Sequence, residues 1–222
     1  MINSDTFNGC SGLKAIKYLA PVETIDTDAF KGCPSLQTIE FLSNVKDIKS
    51  QAFNDCSKLN EIKFSNSPRS VHEKAFSGCS PTHVIKFLPS VKRIEANAFI
   101  KCSDLNEIHF MSDIDSIENR AFMYCTTLKV VKFLSSVGHI GDYAFFRCSA
   151  LKEISFASSI KSIGYCSFYN TLGVKFANTS NIESIGCSAF WRTIRLEFPA
   201  SSRKNIEDYA FDLNSVVLKS EK

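Results

Sequence analysis

The sequence predicts a solenoid, a stack of short coils that share a parallel β-sheet. Three observations predict it. A phenylalanine recurs every 23 residues through Phe7, Phe30, Phe53, Phe76, Phe99, Phe122, Phe145 and Phe168, and Phe190 and Phe211 follow at steps of 22 and 21. Each unit then carries an I-x-F triplet, whose period of two is that of a strand with one apolar face. Seven cysteines stand at one fixed offset in seven successive units. One unit is too short to bury both apolar sets, whereas stacked units bury them against their neighbours.

The unit reads A-F-x-x-C-x-x-L-x-x-I-x-F-x-x-x-V-x-x-I. A small residue precedes the phenylalanine, as in Ala29, Ala52, Ala75, Ala98, Ala121, Ala144, Ser167, Ala189 and Ala210. Next come Cys10, Cys33, Cys56, Cys79, Cys102, Cys125 and Cys148, then Leu13, Leu36, Leu59, Leu105, Leu128 and Leu151, with Thr82 as the exception. The spacing of three across this stretch suits a short helical or 3₁₀ turn. The strand triplets run from Ile16–Tyr18 to a weaker Val216-x-Leu218, and a Val/Ile pair such as Val45 and Ile48 closes each unit. At about 4.8 Å between paired strands, the array spans roughly 45 Å.

The cysteine count of nine is odd, and the regular seven would lie over one another inside the stack as free thiols. Adjacent coils hold such thiols in a geometry unsuited to the disulfide torsion. No C-x-x-C pair is present, so a metal site is not expected. Cys166 and Cys187 fall off the column and are expected on the convex side, Cys166 partly exposed.

The balance of 26 Lys and Arg against 23 Asp and Glu gives a net charge of +3, too small an excess for a dedicated nucleic-acid binder. No apolar run is long enough for a transmembrane helix. Met1–Asp5 resembles no secretory signal, which together with the free thiols leans toward an intracellular, cytoplasmic place for the chain as given. A signal or anchor outside it would point to the cell surface. His72, His83, His109 and His139 occupy four different repeat positions and do not converge. No H-E-x-x-H, G-x-S-x-G, Walker A or G-x-G-x-x-G is present, so neither an enzyme nor a cofactor is expected.

L-x-x-I-x-F resembles the leucine-rich-repeat strand core L-x-x-L-x-L, and the 23-residue unit with its A-F-x-x-C segment resembles the BspA-like class of that family. The resemblance runs from about Ser4 to Leu218. It implies a right-handed leucine-rich-repeat solenoid with one parallel β-sheet on the concave face. Short helical or 3₁₀ turns and short extended segments would form the convex side. Residues 1–222 then form a single solenoid of about ten coils. In residues 168–222 Thr171 and Thr193 replace the cysteine and the spacing slips, as in irregular capping repeats.

The resemblance also implies a binding face. Residues flanking the inward Ile and Phe would point outward from the concave sheet. Between them stand Lys17, Lys63, Lys86, His109, Lys132 and Lys175, and Glu40, Ser155 and Glu197 interrupt the basic row. Just after the strand aromatic stand Leu19, Leu42, Ser65, Leu88, Met111, Leu134 and Ala157, a mostly apolar row. Read as a surface, the rows favour a protein partner, acidic in character. Read as structure, Lys17 and Lys63 pair with Glu40 and the leucines tuck under the rim. Relatives of this class are often adhesins or receptor-like proteins of the cell surface. The alternative is an intracellular structural component of a cytoskeletal or other large assembly. The ends show no polar cap, which raises end-to-end self-association or docking to a neighbouring subunit.

Overall fold

The computed structural model describes residues 1–64, 68–79, 84–87, 91–156, 160–176, 182–199, 205–212 and 216–219. The first coils supply β1 (Ala15–Tyr18), β2 (Thr24–Ile25), β3 (Thr38–Phe41), β4 (Asp47–Ile48), β5 (Glu61–Phe64) and β6 (Ser70–Val71). The middle coils supply β7 (Val84–Phe87), β8 (Arg93–Ile94), β9 (Glu107–Phe110), β10 (Ile114–Ile117), β11 (Val130–Phe133) and β12 (Val137–Ile140). The last supply β13 (Glu153–Phe156), β14 (Ile160–Ile163), β15 (Gly173–Phe176), β16 (Ser184–Ile185), β17 (Arg195–Pro199) and β18 (Val216–Lys219). Strands of two walls alternate along the chain as far as β17, which β18 of the same wall follows.

The I-x-F triplets form one wall as two parallel sheets, β1-β3-β5 and β7-β9-β11-β13-β15-β17-β18. The Val/Ile pairs form a second wall, the parallel sheet β2-β4-β6-β8-β10-β12-β14-β16. One continuous concave sheet was expected. The described first wall instead divides between β5 and β7, at the unit where Thr82, outside the described residues, replaces leucine. Elsewhere the register keeps repeat positions opposite one another, Ile16 beside Ile39 and Val131 beside Ile154.

The third wall corrects the expectation of short helical turns. No helix occurs among the described residues. Two residues per coil adopt the left-handed conformation, two before and two after the repeat phenylalanine, as Asn97 and Lys101 do around Phe99 (φ 59° each). Such a residue ends any helical run. In exchange, alternate amides serve the coil and its neighbour. The N–H groups of Asn97, Phe99 and Lys101 donate to the carbonyls of Asn119, Ala121 and Met123 in the next coil. Those of Ala98, Ile100 and Cys102 close turns onto Glu95, Asn97 and Phe99 in their own. Apart from the break between β5 and β7, all three walls therefore hydrogen-bond from coil to coil, which satisfies backbone groups that a plain loop would leave buried and unpaired.

Inside, the repeat phenylalanines form one column from Phe7 to Phe211. Successive ring centroids lie 5.0–5.5 Å apart and planes diverge by 3–11°. The strand aromatics form further stacks, Tyr18–Phe41–Phe64 and Phe110–Phe133–Phe156–Phe176. The two columns meet edge to face, as between Phe156 and Phe168. Such offset and T-shaped contacts suit the ring quadrupole and stabilise beyond the buried area alone.

Candidate interaction surface

The residue after β3 and after β11 continues the ladder, the N–H of Leu42 donating to the Tyr18 carbonyl at 3.5 Å and that of Leu134 to the Phe110 carbonyl at 3.1 Å. Its side chain then points away from the core. Leu19 is 76% exposed, Leu42 52%, Met111 44% and Leu134 56%. Four apolar side chains of one repeat position thus face solvent, whereas the strand phenylalanines beside them at Phe41, Phe110 and Phe133 are buried. Leu88, at the same repeat position, lies outside the described residues.

The neighbouring basic row is largely neutralised within the face. The Lys17 ammonium lies 3.0 Å from the Glu40 carboxylate, Lys63 lies 3.3 Å from Glu61, and Lys175 lies 3.6 Å from Glu197. His109 Nε2 lies 3.2 Å from Glu107. Lys132 has no ion pair among the described residues, and Lys86 stands beside His109 in register. A shallow depression of about 400 Å³ over β1, β3 and β5 is lined by Lys17, Glu40, Glu61 and Lys63. Exposed pairs of this kind contribute about 0–1 kcal/mol each, so they shape the surface more than they hold the fold.

The other candidate chemistry does not assemble. His72 sits between Asp47 and Glu95, and His139 faces Ser162, so the described histidines stay apart. His83 lies outside the described residues. Among the described residues no group of three His, Cys, Asp or Glu side chains could hold a metal ion, and no helix is long and apolar enough to cross a membrane.

The regular cysteines are free thiols, buried in every described coil after the first. Each donates its S–H to the phenylalanine carbonyl of the preceding coil, as Cys56 does to Phe30 and Cys102 to Phe76 at 3.0 and 3.1 Å. Burial pushes the Cys33 thiol up to about 11 and those of Cys79, Cys102 and Cys148 well above the usual range. Such thiols are poor nucleophiles. Off the column the expectation reverses. Cys166 is buried, at 5% exposure, and Cys187 is the partly exposed one.

One charged site is tightly held. The Asp113 carboxylate accepts hydrogen bonds from the Ser135 and Ser136 hydroxyls and from the Ser136 N–H. These donors hold its pKa down to about 2, the Ser135 bond foremost.

A second set of exposed residues was missed in the sequence. One place after the repeat phenylalanine, the third wall carries Asn8, Lys31, Asn54 and Ser77, and then Ile100, Met123, Phe146, Tyr169 and Trp191. The signal is in that alignment column. It is hidden when each aromatic is judged by whether it fits the core consensus.

The sequence matches the BspA type leucine rich repeat region in six copies, over residues 1–129 and 116–220. None of the curated proteins matches it. Among solved structures the chain is similar to the leucine rich repeat protein TpLRR of T. pallidum, at 26% identity and a TM-score of 0.61, over 68% of this chain and 70% of that one. It shares its fold with a leucine-rich repeat protein from Bacteroides ovatus, at 18% identity and a TM-score of 0.52, over 100% of this chain and 88% of that one. Repeat, strand register and family match agree, and the chain belongs to the BspA type leucine-rich-repeat family.

Proposed function

We propose that the chain is a non-catalytic interaction module that holds a partner protein against its first wall, with Leu19, Leu42, Met111 and Leu134 as the apolar contacts. Leucine-rich-repeat proteins are generally modules of protein interaction, which supports the coarse reading. The observation that carries the finer one is the exposure of four large apolar side chains at a single repeat position. Ordered apolar rows of this kind are costly in water and mark contact surfaces. By its place in the repeat, Leu88 belongs to the same row. The lysines of the adjacent row, paired with glutamates, form a polar rim that sets orientation. A surface of this design serves a cell-surface adhesin or an intracellular scaffold equally well.

The test is to replace Leu19, Leu42 and Leu134 with Ser together and compare capture of partner proteins from the native cell with that by the unaltered chain. Exposed positions leave the melting temperature nearly unchanged, so lost capture reports on the surface itself. Capture equal to that of the unaltered chain overturns the proposal.

A further inference from the structure

The third wall changes character along the stack. In the first four coils the position after the repeat phenylalanine is Asn8, Lys31, Asn54 or Ser77, so the coil needs no apolar residue there. From the fifth coil it is Ile100, Met123, Phe146, Tyr169 and Trp191, each partly exposed. With the tyrosines of this wall, Phe146 and Tyr169 form a surface net of rings from Tyr124 to Tyr169, and Trp191 meets Tyr209 edge-on. Phe146 stacks on Tyr169 at 5.0 Å, and Tyr124 and Tyr143 both meet Phe146 edge-on. Five of the six tyrosines and the single tryptophan belong to residues 124–209, on this wall.

Three guanidiniums lie on the net. Arg147 is 5.5 Å from the Phe146 ring centroid and 6.0 Å from that of Tyr124. Arg192 is 6.0 Å from Tyr169, and Arg120 is 5.6 Å from Tyr143. All three are exposed, and among the described residues no carboxylate pairs with any of them. The aspartate of this patch, Asp142, already accepts the Tyr165 N–H. A guanidinium resting on a ring keeps its in-plane N–H fork free for a carboxylate.

The spacing selects a ligand. Arg147 and Arg192 share one repeat position two coils apart, roughly 10 Å along the stack. A peptide in the extended polyproline II form covers about the same distance in three residues, one full turn, so side chains three apart share a face. We propose that this wall binds an acidic peptide segment in extended form. Carboxylates three residues apart meet Arg147 and Arg192, and the residues between them lie on the Phe146 and Tyr169 rings. A polyphosphate chain or an anionic bilayer would reward a larger basic excess than three arginines beside an aspartate. This surface lies on a different wall from the Leu42 and Leu134 row and does not depend on it.

Fluorescence anisotropy tests it with a short labelled peptide carrying glutamate at every third position and tyrosine and proline between. The counterpart with lysine for glutamate, an oligouridylate and phosphatidylserine vesicles serve as competitors. The glutamate peptide is expected to bind. Its affinity should fall about tenfold or more in the Arg147→Ala, Arg192→Ala double variant, whose exposed sites leave melting unchanged. The Leu42→Ser, Leu134→Ser variant should bind as the unaltered chain does. Absence of binding, equal binding of the lysine peptide, retained affinity in the double variant, or preference for the oligonucleotide or the vesicles overturns the proposal.

Discussion

The Cys125 thiol donates to the carbonyl oxygen of Phe99 in the preceding coil at 3.0 Å, and the same oxygen accepts the N–H of Cys102. The residue conserved by the repeat is therefore a small side chain with a donor. Thr193 supports this, since its hydroxyl reaches the Phe168 carbonyl at 3.0 Å from the equivalent position. Cys125→Thr is expected to keep stability within about 1 kcal/mol, and Cys125→Val to lose about 1 kcal/mol more by leaving the carbonyl with one donor. Urea unfolding midpoints of the two variants check the order.

Burial also orders the reactivity of the thiols. At mildly alkaline pH, Cys10 and Cys187, which are partly exposed, should label with a thiol reagent while the chain is folded. The buried thiols from Cys33 to Cys148 should label only on unfolding, because the fold closes them from the reagent, and at Cys33, Cys79, Cys102 and Cys148 burial also disfavours the thiolate form. Mass spectrometry of the native and denatured products distinguishes the two groups.

Phe99 is the clearest test of the central column. It is buried and stacks between Phe76 at 5.0 Å and Phe122 at 5.1 Å. The backbone around it is bonded to the next coil, so neighbouring coils cannot close on a cavity. Phe99→Ala should cost about 3–5 kcal/mol, read from thermal or denaturant unfolding.

Asp113 predicts an acid limb. Its folded pKa, about 2, lies below the ordinary unfolded value of about 3.9. The stability it contributes is thus fully present above the unfolded value and is lost as pH falls through the folded one. Carboxyl NMR should show Asp113 titrating near pH 2. In Ser135→Ala, Ser136→Ala its midpoint should rise toward the ordinary value.

Much of this architecture was legible in the sequence because stacking repeats one environment. Phe99 and Cys125 could be placed inside from spacing alone, as could the strands from I-x-F. The third wall was not legible in the same way. Left-handed residues are announced by Gly9, Gly32 and Gly78 in early coils, but later the same conformation falls on Lys101, Tyr124 and Arg147, whose side chains carry no such signal. Neighbouring coils over-determine the backbone there. The pairing of Lys63 with Glu61, on its own strand, over Glu40 is likewise a matter of rotamer geometry. The aromatic net escaped because it departs from the repeat instead of obeying it.

Hydrogen–deuterium exchange of the chain, alone and with a captured partner, tests the first-wall proposal most directly. The account predicts slowed exchange at the amides of Leu42, Met111 and Leu134 and their flanking residues on binding, with the second wall from β2 to β16 unchanged. Protection confined to the second wall, with the row after the first-wall strands exchanging as in the free chain, would contradict it.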